Sequence, residues 1–292
     1  MSGKGKNAID MTGGSLWKNI LVFSLPLMMT QMLEVLFNLS DVAIAGKYAD
    51  YIALGAVGST ALLVSLFTGI LIGMGAGVNV RTAHQLGAEK TSGSSETVAR
   101  TVYSGLIVCL IIGIILCLVC NIFARPMLET LKTKDELIES AVLYLKIYAL
   151  GMPAMAVYNF GNGVLSACGE TKKPLVYLSI AGVLNVILNI FFVVVCKKAA
   201  DGVAIASVIA QYLSASMIMC HLLRRKDSCK LRLSNKYFDT SACGGVLMIG
   251  IPTGMQNAIF AVANLFVQTG VNHFDAVMVS GNSAAQNADT LI

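Results

Sequence analysis

Long charge-free apolar stretches recur along this chain, and they restrict it to very few folds. Tyr51–Val80, Thr101–Ala124, Ile147–Gly169, Pro174–Cys196 and Val203–Cys220 contain no Asp, Glu, Lys or Arg, and in Thr240–Phe274 the only charged or His residue is His273. About 20 apolar residues in a helix cross the hydrocarbon core of a bilayer. Lipid offers backbone groups no hydrogen-bond partner, so such segments must be helices. Seven complete spans are expected, at about 17–45, 52–80, 99–123, 139–167, 175–196, 202–223 and 243–272. An eighth begins near Ala276 and is still running at Ile292, which leads to the expectation of a truncated chain. Only 13% of residues are charged, against roughly a quarter in soluble domains. Recurrence of the spans excludes a lone signal peptide as the source of this apolar character.

The basic residues lie between spans. With the N-terminus in the cytoplasm, the inside segments hold 14 Lys and Arg residues and the outside segments 6, with Lys146 near the start of a span. That asymmetry fits the positive-inside rule. The net charge of +5 therefore reflects membrane topology and implies no nucleic-acid partner.

Two carboxylates interrupt the first span. Glu34 and Asp41 are the only charged residues between Asn19 and Gly46. Seven residues apart, they share a helix face, and Gln31 and Asn38 extend the same stripe. An ionisable group at membrane depth is expensive and marks a route for ions, protons or charged solutes. Other spans carry polar stripes at helical spacing: Asn159, Asn162 and Ser166; Asn185 and Asn189; Ser207, Gln211 and Ser214; Asn257, Asn264 and Gln268. Each must face other helices or water. Their convergence implies a polar central cavity in which Asn185 and Asn189 hold the Asp41 carboxylate. Met28, Met29, Phe37 and Met155 are the expected soft apolar lining.

Most of the eight cysteines fall inside spans and read as small apolar residues, Cys117 and Cys120 included despite their redox spacing. Gly69, Gly73 and Gly77 form a small-residue packing face. No phosphate loop, catalytic triad or zinc-protease motif occurs, so an enzyme is not expected.

Arg224–Asp239 is the longest polar connection. A shift of 226 residues across it aligns Pro26 with Pro252, Met29 with Met255, Asn38 with Asn264, Leu39 with Leu265 and Gly55 with Gly281. Six spans separate the two copies, so both have one orientation, as in transporters built from parallel repeats. Glu34 and Asp41 align with Phe260 and Val267, so the acidic pair is confined to the first copy. The expected segments are a cytoplasmic tail (1–16), a first six-helix lobe (17–223), an inter-lobe loop (224–242) and the start of a second lobe (243–292).

Several segments resemble the multidrug and toxic compound extrusion (MATE) transporters. Ser24-Leu25-Pro26, Gln31 and Phe37-Asn38-Leu39-Ser40-Asp41 through Gly46 resemble the first helix of that family. Leu54-Gly55-Ala56-Val57-Gly58 and Gln85-Leu86-Gly87-Ala88-Glu89 resemble its second helix and the loop beyond it. Gly169-Glu170-Thr171-Lys172-Lys173-Pro174 resembles the turn between helices four and five, and Gly250-Ile251-Pro252 the opening of helix seven. The resemblance implies an all-α polytopic membrane protein of two six-helix bundles related by a pseudo-two-fold axis. This chain would hold the first bundle and about two helices of the second.

The resemblance also implies an antiporter in the plasma membrane that exports small organic cations in exchange for Na+ or H+. Asp41 would be the coupling carboxylate, with Asn185 and Ser207 in its network. Asn189 stands where many members carry a second aspartate, and Glu34 is a candidate substitute. No acidic residue stands early in helix seven, where Phe260 and Ala261 lie. The expected substrate cavity comprises Gln31, Phe37, Asn38, Met155, Asn159, Asn162, Asn257 and Asn264. No cofactor is expected, and no metal beyond a sodium ion at Asp41. The chain is expected to act as a monomer. A rival on the same fold is a flippase or exporter of a lipid-linked precursor or metabolite, whose anionic cargo would call for basic residues in the cavity.

Overall fold

A computed structural model describes residues 16–49, 51–92, 95–131 and 133–271. Among these residues the chain is helical with no strand: α1 (Leu16–Tyr48), α2 (Tyr51–Ser92), α3 (Ser95–Thr130), α4 (Asp135–Ala149), α5 (Met152–Ala167), α6 (Lys172–Ile190), α7 (Ala200–Arg224) and α8 (Thr240–Val271). Six helices are long and apolar enough to cross a membrane, or seven if the bent pair α4 and α5 is one span. The expected spans coincide with these helices, and the eighth lies outside the described residues.

One span needs correction. The fourth reads as a single helix over 139–167, but the structure divides it into α4 and α5, bent by 45°. The break falls at Leu150–Gly151, one residue before Met152-Pro153. Proline lacks the amide proton and its ring clashes with the preceding turn, so it belongs in the first turn of a new helix. Pro26 and Pro252, by contrast, lie inside α1 and α8. The Thr30 hydroxyl donates to the Pro26 carbonyl at 2.9 Å.

α2 is the hub, and glycine makes it so. It runs antiparallel to α8, with Gly69, Gly73 and Gly77 set against Asn257, Gly254 and Gly250. A side chain at Gly73 would run into the Gly254 backbone, and one at Gly77 would come within 2.6 Å of the Val246 carbonyl. On its other side, a side chain at Gly75 would meet the Asn159 carbonyl of α5 at 2.8 Å. In lipid, where association between apolar helices gains little from the hydrophobic effect, such close backbone approach is a main source of adhesion. Asn257 Nδ2 adds a bond to the Gly69 carbonyl at 3.1 Å.

The connection from α7 to α8 is folded against the bundle. Leu231 and Cys229 are buried in a core cluster with Phe160, Ile218 and Leu222. The Leu231 amide donates to the Leu222 carbonyl at 3.1 Å. Ser228 Oγ donates to Glu89 at 2.6 Å, Tyr103 donates to Asn235 at 3.0 Å, and the Asp239 amide donates to Ser104 at 2.9 Å. Cys168 and Cys229 form a disulfide, a pairing that the sequence reading did not raise.

Beside that disulfide, buried Glu170 forms ion pairs with Lys173 Nζ at 2.8 Å and Arg225 Nη1 at 3.3 Å. Arg225 also grips Asp227. Burial alone would raise the Glu170 carboxyl, but the Lys173 hydrogen bond and the Arg225 charge outweigh it and hold the group below the ordinary glutamate value of 4.5. A depressed folded value stabilises the fold above the unfolded value, and that stability is lost as pH falls through the folded one.

Two predictions follow from this packing. Gly73→Val should separate α2 from α8 and lower the melting point of the purified protein, with an overpacking cost of about 1–3 kcal/mol. Glu170→Gln should cost about 1.5–3 kcal/mol near neutral pH, the worth of hydrogen bonds to a charged group. The gap between native and variant melting curves should close as pH drops below 4.5.

Candidate functional site

Three helices converge on Asp41. It is supplied by α1, Asn185 and Asn189 come from successive turns of α6, and Ser207 comes from the first half of α7. All four are buried. Asn189 Nδ2 donates to Asp41 Oδ1 at 2.5 Å, and Ser207 Oγ donates to Asp41 Oδ2 at 2.8 Å. Asn189 Nδ2 also donates to Asn185 Oδ1 at 3.2 Å, and Asn185 Nδ2 donates to Ser207 Oγ at 3.1 Å. These four bonds close a ring that uses both amide protons of Asn189, one of Asn185 and the Ser207 hydroxyl proton. In this ring Asn185 Oδ1 lies 3.0 Å from Asp41 Oδ1, oxygen against oxygen; turned over, the Asn185 amide donates to Asp41 Oδ1 at that distance and its oxygen accepts from Ser207 Oγ at 3.1 Å. The turned orientation satisfies both ends of the Asn185 amide, and in either one the carboxylate is capped by amide and hydroxyl donors. Asn189 Oδ1 remains buried without a partner.

Local sequence makes the convergence possible. Asn185 and Asn189 share one face of α6 at i and i+4. Gly182, one turn earlier, leaves room for the Phe37 ring of α1 to lie directly on the α6 backbone. Immediately after Asn189 the helix widens into a π-helical segment, Phe191–Val195, with the Cys196 amide bonded to the Phe191 carbonyl at 3.1 Å. Such widened turns often accompany functional positions.

The ring forms one wall of a cavity of about 110 Å³. Of the candidates read from sequence, Glu34, Phe37, Asp41, Met155, Asn159, Asn185 and Ser207 line it. Asn189 reaches it through Asp41. Gln31 is exposed outside it, as are Met28 and Met29, because α1 turns that face away from its helix neighbours. Asn162 is occupied locally, accepting from Ser166 at 3.4 Å. Asn257 faces α2 instead, held by the Gly69 carbonyl. Asn264 is exposed on α8, and the Asn38 side chain lies outside the described residues. Sequence reading missed Thr68, Tyr148 and Tyr158 as lining residues. The two tyrosines flank the α4/α5 break, and the Gly151-Met152-Pro153 run was the available signal. Among the described residues, the cavity lining includes no Lys, Arg or His, and no group of three or more His, Cys, Asp or Glu could hold a metal.

Known proteins give this geometry a context. YpnP of Bacillus subtilis, described as a probable multidrug resistance protein, is 26% identical over 287 residues, covering 98% of this chain and 63% of YpnP. The multidrug export protein MepA of Staphylococcus aureus is 21% identical, covering 88% of this chain and 56% of MepA. The chain thus spans about three fifths of the relatives it matches. A crystal structure of MATE in a bent conformation superposes with a TM-score of 0.85 at 21% identity, over 97% of this chain and 62% of that one. A transporter of the MOP superfamily from Pyrococcus furiosus superposes with a TM-score of 0.87 at 20% identity, over 99% and 63%. The family model MatE matches residues 26–191. That match covers α1 through α6 from Pro26 onward, including Asp41, Asn185 and Asn189, and the chain belongs to the MatE family.

Proposed function

We propose that this chain is part of a secondary antiporter in the plasma membrane, with its N-terminus in the cytoplasm, that exports amphiphilic organic cations in exchange for Na+ or H+. The observation that carries the reading is Asp41, a buried carboxylate at membrane depth, capped by amide and hydroxyl donors and facing a cavity with aromatic and thioether walls. The names of YpnP and MepA point the same way.

The ring supplies a mechanism. A proton arriving on Asp41 replaces an acceptor with a donor, so Asn189 or Ser207 must turn away or present an oxygen. Asn189 Oδ1, buried and unpartnered, is the oxygen to present. A sodium ion would make the same demand, because it too needs oxygens where the ring now offers protons. In either case the contact of α1 with α6 and α7 is reset. An ion and a cargo that favour opposite arrangements of those helices then exchange by mass action. Absence of basic side chains from the described lining disfavours the rival reading of an anionic lipid-linked cargo.

Ethidium efflux from cells expressing the gene tests this. Efflux should follow an imposed sodium or proton gradient, and Asp41→Asn, which keeps size and polarity, should reduce it to the rate of cells without the gene. Gradient-driven efflux that persists in Asp41→Asn would remove the mechanism.

A further inference from the structure

We propose that Glu34 is the counter-charge for the cationic centre of the cargo, so that the two carboxylates of α1 have separate tasks. This rests on the antiporter reading and divides its acidic site in two. Glu34 lines the same cavity as Asp41, two helical turns away, which is about 10 Å along the axis. The surroundings differ. Asp41 is 5% exposed, with both oxygens taken by donors at hydrogen-bond distance. A site so tightly bonded admits a proton or a small bare ion. Glu34 is half-buried, and no described residue donates a hydrogen bond to it. Among the described lining residues, the other titratable groups are Asp41, Tyr148 and Tyr158, none of them a cation. A charged carboxylate at membrane depth is costly without a partner. No described lining residue supplies a positive charge, and the partner proposed for Glu34 is the cationic centre of the cargo.

The neighbouring walls indicate its class. Phe37, Tyr148 and Tyr158 offer aromatic surface and Met155 a polarisable thioether. Aromatic rings attract organic ammonium groups, and a thioether adapts to irregular shapes. Size adds a second constraint. Drug-sized ligands occupy sites of roughly 300–1,000 Å³. The cavity of about 110 Å³ admits a head group and leaves the rest of the cargo outside. Along α1, exposure rises from buried Asp41 through half-buried Glu34 to exposed Gln31. A cationic head group in the cavity therefore meets half-buried Glu34 and stops short of the closed ring.

Equilibrium binding of tetraphenylphosphonium to the purified full-length protein tests this without any ion gradient. Glu34→Gln should weaken binding about tenfold or more, as loss of one partner of a desolvated charge pair does. Glu34→Asp should restore most of it, and Glu34→Gln should still take up the coupling ion through Asp41. Native-like affinity in Glu34→Gln overturns the proposal, and so does equal weakening in Glu34→Asp, which would make the effect one of shape. Carbodiimide labelling of Glu34 in the native protein, read by peptide mass, needs no variant. Tetraphenylphosphonium should slow the labelling, and an unchanged rate overturns the proposal. Failure of Asp41→Asn to abolish gradient-driven efflux would instead remove the antiporter reading and leave these binding results standing.

Discussion

A carboxylate among apolar helices persists only where other side chains replace the water it has lost. Asp41 gathers two donors of this kind, from α6 and α7, and this requirement organises the site. The donors are also linked to one another through Asn185, so the carboxylate and its partners form one network. The arrangement fixes the register of α1 against α6 and α7 more sharply than interchangeable aliphatic contacts can. It is also the contact most sensitive to one added positive charge, because two of its bonds end on the carboxylate itself. Packing specificity and the ion response proposed above are therefore assigned to the same four side chains.

Most of the architecture was legible because the bilayer imposes a simple rule on sequence. Uncharged stretches of sufficient length became the helices, with ends close to where charged residues resume. The α4/α5 break was hidden because apolar character continues across it, and only Gly151 and Pro153 mark the bend. The core of the site was legible for a related reason. A polar residue in lipid must find a partner, and Asp41, Asn185, Asn189 and Ser207 had few others to find.

Where reading failed, a polar group had found its partner nearby. Asn162 takes the hydroxyl of Ser166 one turn away, and Asn257 takes a carbonyl that a neighbouring glycine lays bare. Helical spacing shows which residues share a face, not which neighbour that face meets. Tyr148 and Tyr158 carried no polar stripe to flag them, since a tyrosine in an apolar span reads as bulk. The Cys168–Cys229 pair was equally hidden, because one member lies at the end of α5 and the other in the connection to α8, 61 residues on.

The glycines of α2 have a consequence for how the cavity can change. Close backbone contact on two sides joins α2 to α5 and to α8. Interfaces of this kind have little side-chain material to rearrange, so the three helices form a stiff slab. α5 and α2 contribute Met155, Tyr158, Asn159 and Thr68 to one side of the cavity, while α1, α6 and α7 contribute the other. The first side is built from backbone set against backbone, the second from a hydrogen-bonded ring that can be rewired. Under the proposed exchange, the seam between slab and ring is where the cavity can widen, because hydrogen bonds there can be rewired while the backbone contacts of α2 cannot.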